Sequence, residues 1–389
     1  MGWPILLGVF LGAIALLVVL FEWQFRQRPG NQLELTPGEW TWDIQQTNRY
    51  RLIGELELIN RTRRLEIMVP ELAAEVKLLS SGPLDEVRSH IHVTPLHPDA
   101  SARADGYWFG YIVKVGKTTR LKVAIEITGP DLSQLQTAWI QVHYLTYGPE
   151  GRIPKTGHII YPLQYPDPQI LPKGRQTSVG DVFPIRTHLL TNLDDPVEMV
   201  KRYVLPHAKP GDIVTIGETP IAIMQGRMRH PSTLKPGWVA KRICYYFLPT
   251  SSLATACGMQ SLVEVEGAGR VLFAFIVGAI AKAILRKPGV FYQLAGEQAR
   301  LIDDVTGSLP PYDQFIVYGP ENPQAVVDRI QKETGLSAAI VDVNDLKAVK
   351  ILAATRDLSS NILEQALISN PAGNADEQTP VVLIRTPKN

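Results

Sequence analysis

The apolar run Leu336-Ser337-Ala338-Ala339-Ile340-Val341 stops abruptly at Asp342-Val343-Asn344-Asp345. A short β-rich run closing in carboxylates reads as a buried strand that delivers acids to its exposed carboxyl end. In open α/β sheets that edge is where ligands bind. Asp342, Asn344 and Asp345 offer hard oxygen donors suited to Mg²⁺ or Mn²⁺, and so to phosphate chemistry. Asp and Asn equally cap helices and shape turns, and the four residues alone leave both readings open. Two further spots share this texture. Gly211-Asp212-Ile213-Val214-Thr215-Ile216-Gly217-Glu218 is a glycine-led turn, a buried strand and an acidic exit, and it runs on to Gly226-Arg227. There a glycine permits close backbone approach to a ligand and an arginine clamps phosphate or carboxylate; the alternative is an ordinary strand, turn and exposed arginine. Ile302-Asp303-Asp304 again leads an apolar residue into paired carboxylates, either a shared cation site or a solvated turn.

Other motifs fail on their own chemistry. Val115-Gly116-Lys117-Thr118 resembles half of a P-loop, but the glycine required five residues earlier is Tyr111, and the segment suits a turn between alternating strands. His90 and His92 share a strand face near His97 without a Cys or acid to complete a metal shell. Cys244 and Cys257 are the only cysteines, which excludes a disulfide framework and a cysteine-based zinc site. No Gly-x-Ser-x-Gly elbow is present. With 39 basic against 38 acidic residues, there is no global charge to recruit nucleic acid.

These spots need elements to hold them. Ile5 to Phe21 is an uncharged apolar run bracketed by Trp3 and Trp23, long enough to cross a bilayer. A cleavable signal peptide is the competing reading, but the basic start and small-residue cleavage site are missing, so residues 1–28 are read as an uncleaved anchor. Arg26 and Arg28 after the run place the remaining chain on the cytoplasmic side. Residues 32–165 are dominated by period-two patterning. Leu121 to Ile127 alternates cleanly, Leu52, Leu56 and Leu58 share one face, and an aromatic-rich strand is expected over 106–115, which together predict a β-sandwich or barrel. Pro162, Pro166, Pro168 and Pro172 form a stiff connection. Beyond it, residues 176–389 alternate strand-like and helical segments, as in an α/β or α+β unit. A helix is expected over 322–334 with Ala325, Val326 and Ile330 on one face and Gly335 as its stop, and a last strand in the run 380–385. Val271 to Leu285 is very apolar but short and contains Lys282, so it reads as a core helix or one lying against a bilayer rather than a second span.

The order and spacing of the three acidic and Gly-Arg spots, with Pro310-Pro311 and Gly335 at similar offsets, resemble the coenzyme F-420:L-glutamate ligase (gamma-glutamyl ligase) family over roughly residues 181–385. Gly211 to Arg227 looks like that family's Gly-Asp-led strand ending in Gly-Arg. Ile302-Asp303 looks like its Gly-Ile-Asp turn, and Asp342-Val343-Asn344 like its Asp-x-Asn strand end. The resemblance implies a ligase that uses GTP as cosubstrate with Mn²⁺ or Mg²⁺, activates a carboxylate as an acyl phosphate and accepts the amine of L-glutamate or another amine. Asp303 and Asp342 are then metal ligands, with Asn344 beside them and Gly226 and Arg227 at the phosphates. The chain departs where the family carries Ser-Lys and an acid before Gly-Arg, having Ala222-Ile223-Met224-Gln225. Ile223 thus stands where a phosphate-binding lysine is expected. The full expectation is an α+β protein with a single-pass anchor, a β-sandwich-like domain and a mixed α/β gamma-glutamyl-ligase-like domain. Its alternative is a non-catalytic, membrane-tethered binding or assembly protein that keeps the ligase fold and meets a protein partner through the β-domain.

Overall fold

The computed structural model describes residues 2–26, 31–170, 172–303, 309–343, 348–373 and 377–387. The apolar N-terminal run forms one helix, α1 (Trp3–Arg26), 24 residues long and so about 36 Å, enough to cross a bilayer. None of the stretch Leu7–Phe25 is buried against the rest of the described residues.

Period-two patterning becomes nine strands: β1 (Leu33–Leu35), β2 (Glu39–Gln46), β3 (Arg49–Asn60), β4 (Ile67–Ser80), β5 (Arg88–Leu96), β6 (Tyr111–Val113), β7 (Thr118–Thr128), β8 (Leu135–Gly148) and β9 (Gly151–Pro162). One sheet runs β1-β3-β7-β5 with β2 also paired to β3, and the other runs β6-β4-β8-β9. Leu52, Leu56 and Leu58 of β3 and Leu121, Val123 and Ile125 of β7 face inward into the core shared with β4 and β8. Of the aromatic-rich strand expected over 106–115, only Tyr111–Val113 is extended. Gly116 takes a left-handed φ of 63° in a turn closed by the bond from Lys117 N–H to the Lys114 carbonyl. That turn carries the chain from one sheet to the other, β6 pairing with β4 and β7 with β3 and β5, so it is a crossing rather than a hairpin.

The second half is built on a six-stranded mixed sheet of β10 (Arg175–Thr177), β11 (Gly180–Ile185), β12 (Ile213–Gly217), β15 (Ser337–Val343), β16 (Val349–Ala354) and β17 (Val381–Arg385), in the order β10-β11-β17-β12-β15-β16. A separate two-stranded pair joins β13 (Met228–Arg229) to β14 (Ile316–Val317). The strand expected near the C-terminus is therefore central, antiparallel to both β11 and β12. β12 and β15 are parallel, Ile213 to Gly217 aligned with Ser337 to Val341, so both deliver their carboxyl ends to the same edge.

α2 (Pro196–Tyr203) and α9 (Pro323–Thr334) cover one face of this sheet, and α10 (Ser360–Leu367) covers the other. α9 starts at a proline and stops at Gly335 with φ 75°, as expected. Its buried face is Val327 and Ile330, with Val326 partly buried against the same core; Ala325 turns to solvent, about 140° round the helix from Ile330. Between β12 and β15 lie α3 (Glu218–Met224), α4 (Trp238–Ile243), α5 (Ala256–Glu266), α6 (Ala268–Ile284), α7 (Val290–Leu294) and α8 (Gln298–Leu301). The segment α4–α8 has its own core around Met259, Leu262, Val271 and Phe291. Trp139 and Ile160 of the sandwich pack on Ile223, Tyr312, Phe315 and Val317, which joins the two halves.

Candidate functional site

The parallel pair makes the site. Where β12 and β15 end, a cleft of about 440 Å³ opens, lined by Thr215, Gly217, Glu218, Asp303, Asp342 and Ile223, with Arg300, His188 and Tyr312 on its other walls. That volume is within the range of small-molecule sites, and the position is the edge at which open α/β sheets bind ligands.

Asp342 is the sixth residue of β15 and projects from the strand end, half-buried, opposite Lys350 of β16. Asp303 leaves α8 and is fixed through its backbone: its N–H donates to the Val317 carbonyl at 2.8 Å and its carbonyl accepts from Val317 N–H at 2.9 Å. Two acids distant in sequence therefore line one cleft. Asn344, Asp345 and Asp304 lie outside the described residues.

Sequence reasoning noted Glu218 only as a polar exit. In the structure it opens α3 directly after β12, its side chain half-buried beside the two aspartates. Burial, reinforced by Asp342 and Asp303 and offset by Lys350, pushes its carboxyl up to about 8. Its Oε2 finds no hydrogen-bond partner among the described residues. A buried carboxylate oxygen without a donor is costly unless a proton or cation serves it. The signal that would have identified it was present: Gly217-Glu218 ends β12 as Val341-Asp342 ends β15, and parallel pairing puts the two acids side by side.

Arg300 was likewise missed, since a lone arginine in α8 carries no motif; it brings a cation to the cleft wall. His188 lines the cleft too, but both ring nitrogens are engaged, Nδ1 with Tyr203 Oη at 2.7 Å and Nε2 with Asp194 Oδ1 at 2.9 Å. It braces the wall.

Gly226 and Arg227 are not among the residues lining the cleft. Ile221 to Met224 close α3, and Gly226 just beyond its end takes a φ of 68°. Arg227 Nε donates to the Gly319 carbonyl at 2.7 Å, its Nη1 pairs with Glu321 at 3.2 Å, and the guanidinium lies over Tyr318. Those contacts tie the end of α3 to the segment after β14. Ile223 does face the cleft, an apolar side chain at the position where a lysine was expected.

The hard oxygen donors of Glu218, Asp303 and Asp342, and the unserved Glu218 oxygen, suit a divalent cation. No group of three or more His, Cys, Asp or Glu among the described residues is already gathered at metal-binding distance. The other candidates resolve as structural: His90 and His92 are exposed on β5, while His97 is buried, bonded to Thr119 and stacked on Tyr111.

Residues 34–165 match the family model described as the N-terminal Ig-like domain of F420-0:gamma-glutamyl ligase. No curated protein matches the chain. Among solved structures, the yeast GGA1_GAE domain is 11% identical, covering 35% of this chain and 96% of that one at a TM-score of 0.20. The N-terminal domain of PorA is 11% identical, with coverages of 31% and 81% at 0.19. The CupB6 tip adhesin from Pseudomonas aeruginosa is 10% identical, with coverages of 40% and 66% at 0.23. At such scores nothing about function passes from them to this chain. The sandwich is Ig-like, and its match is to the domain that opens F420-0:gamma-glutamyl ligases.

Proposed function

We propose that this chain is a membrane-anchored amide ligase of the gamma-glutamyl type, joining a small-molecule carboxylate to L-glutamate or another amine at the expense of GTP. The observation that supports it most is that Glu218, Asp303 and Asp342 line one cleft at the carboxyl ends of a parallel pair. The Ig-like match over residues 34–165 adds to it, because this sandwich packs directly on the elements around that cleft. Glu218, Asp303 and Asp342 would hold Mn²⁺ or Mg²⁺, with Asn344 next in the chain. A divalent cation there supplies neutralisation of charge on a transferred phosphoryl group. Arg300 offers the cleft a positive charge that Ile223 lacks. Because Glu218 keeps a proton at neutral pH, cation binding must release it, and affinity should rise between about pH 6 and 8. α1 is proposed as the anchor, with Arg26 and Arg28 retaining the soluble halves on the cytoplasmic side.

Calorimetry on the purified chain tests the reading. GTP should bind only with Mn²⁺ or Mg²⁺ present, and Asp342→Asn should weaken it at least about tenfold, as expected for loss of a charged ligand. Absence of nucleotide binding under every metal condition would sink the ligase. Two observations favour a second reading, a membrane-tethered binding or assembly protein. Ile223 replaces the expected lysine, and Arg227 is committed to Gly319 and Glu321. Crosslinking in membranes should then trap a stoichiometric partner on the β-domain, with no nucleotide turnover.

A further inference from the structure

α6 is apolar on every side: between Val271 and Leu285 only Lys282 is polar. A helix of that composition is normally enclosed. Here Val271, Ala274, Gly278 and Ala281 are buried against the helical segment's own core, while the opposite face is bare. Phe273, Ile276, Ile280 and Ile284 form a stripe at helical spacing and are 49–74% exposed. Tyr246, packed on Phe275, and Tyr245 and Leu248 beside it in the chain are more exposed still, at 75–87%.

Charge says what covers this face. Across residues 219–296 the chain has nine Lys and Arg against two Glu, although the whole protein is nearly neutral. Both of those acids are already paired, Glu264 with Arg229 and Glu266 with Arg270. Lys241, Arg242, Lys282, Arg286 and Lys287 are all exposed. An apolar stripe with exposed aromatics and a cationic setting is the chemistry of a surface that sits in the headgroup region of an anionic bilayer. A second copy would press two such cationic surfaces together, which like charges oppose. A straight crossing does not suit this helix: its 17 residues span about 26 Å, one face is committed to the protein core, and it is bent by 113° from α5.

We infer that the α4–α6 segment is a second membrane contact, with the free face of α6 lying in the plane of an anionic lipid surface independently of α1. Among the described residues no hydrophobic core contains a residue of α1, so the cores of residues 31–389 do not draw on it.

That fragment should co-sediment with phosphatidylcholine vesicles containing a quarter phosphatidylglycerol. Its affinity should be at least about tenfold lower for pure phosphatidylcholine, given the contribution of each cation at a charged surface. Ile276→Glu with Ile280→Glu changes two exposed positions and should reduce binding at least about tenfold, with an unchanged circular dichroism melt. Lys282→Glu with Arg286→Glu and Lys287→Glu leaves the stripe intact and should abolish the preference for phosphatidylglycerol. The inference is overturned if the fragment stays in the supernatant with both vesicle types, or if neither variant changes binding. It is equally overturned if sedimentation velocity shows a dimer that the Ile276/Ile280 variant splits, which would make the face a contact between copies.

Discussion

At the residue scale, Glu218 is the group whose chemistry depends most on its surroundings. Its carboxyl is raised from the ordinary value of 4.5 to about 8 by burial first, then by its acidic neighbours. An acid with a raised folded pKa contributes stability that is complete below its unfolded pKa and is lost as pH climbs through the folded one. In the presence of chelator, wild type should therefore weaken between about pH 4.5 and 8. Glu218→Gln should be more stable at pH 9 by on the order of 3 kcal/mol, and no different at pH 4. Urea unfolding at the two pH values measures this; a difference that does not change with pH would show that the carboxyl is not held in this state. Adding Mn²⁺ at pH 7.5 should stabilise wild type and leave Glu218→Gln much less affected, because the cation site would have lost a charged donor.

The element scale turns on how the central strands are pinned, since β12 and β15 must end level for the cleft to exist. Asp212, just before β12, is almost fully buried and takes Arg385 from the end of β17, with Nη2 to Oδ2 at 2.7 Å and Nε to both oxygens at 3.1 Å. Arg385 also donates to the His207 carbonyl, at the end of the segment that follows α2. Arg385→Ala would leave a buried, unpaired carboxylate and should cost about 3–5 kcal/mol. Asp212→Asn in that background should recover part of the loss, as read from chemical-denaturation midpoints. A loss below about 1 kcal/mol would mean the pair behaves as a surface bridge. This is also why Gly211-Asp212, prominent in the sequence, is not at the site: its acid serves the opposite end of the strand from Glu218.

For the whole molecule, the contact between the Ig-like sandwich and the α/β half decides whether the two behave as one unit. At that seam His158 of β9 stacks on His230 with ring centroids 4.6 Å apart, between Trp139 and Phe315. Burial, with His230, His143 and Lys77 adding to it, pushes His158 down to about 4. A depressed folded pKa on a base means stability that is intact above the unfolded value of 6.5 and lost as pH falls toward 4. Acidification across that window should cost roughly 2–3 kcal/mol and loosen the seam before either half unfolds. Calorimetric scans at pH 7 and pH 4.5 should show one transition dividing into two, and His158→Phe should suppress the division. A single transition at both values would count against a protonation-sensitive seam.

Much of this was legible in the residues because it depends on local period and composition. α1 follows from an uncharged run, the sandwich from alternating leucines in 52–58, and the ends of α9 from Pro323 and Gly335, since propensity and amphipathic burial act over a few neighbours. The pairing of Asp303 with Asp342 in one cleft was anticipated only through the order of short motifs. Arg227 lies away from the cleft lining, because an arginine's partner is set by what folds over it, here Gly319 and Glu321, ninety residues on. Arg300 and the bare face of α6 belong to tertiary structure alone, and Glu218 takes its meaning from the register of two strands. The parallel register of β12 and β15 makes neighbours of acids more than a hundred residues apart, and only the packing of α6 on its own core decides which of its apolar sides is left to something outside the chain.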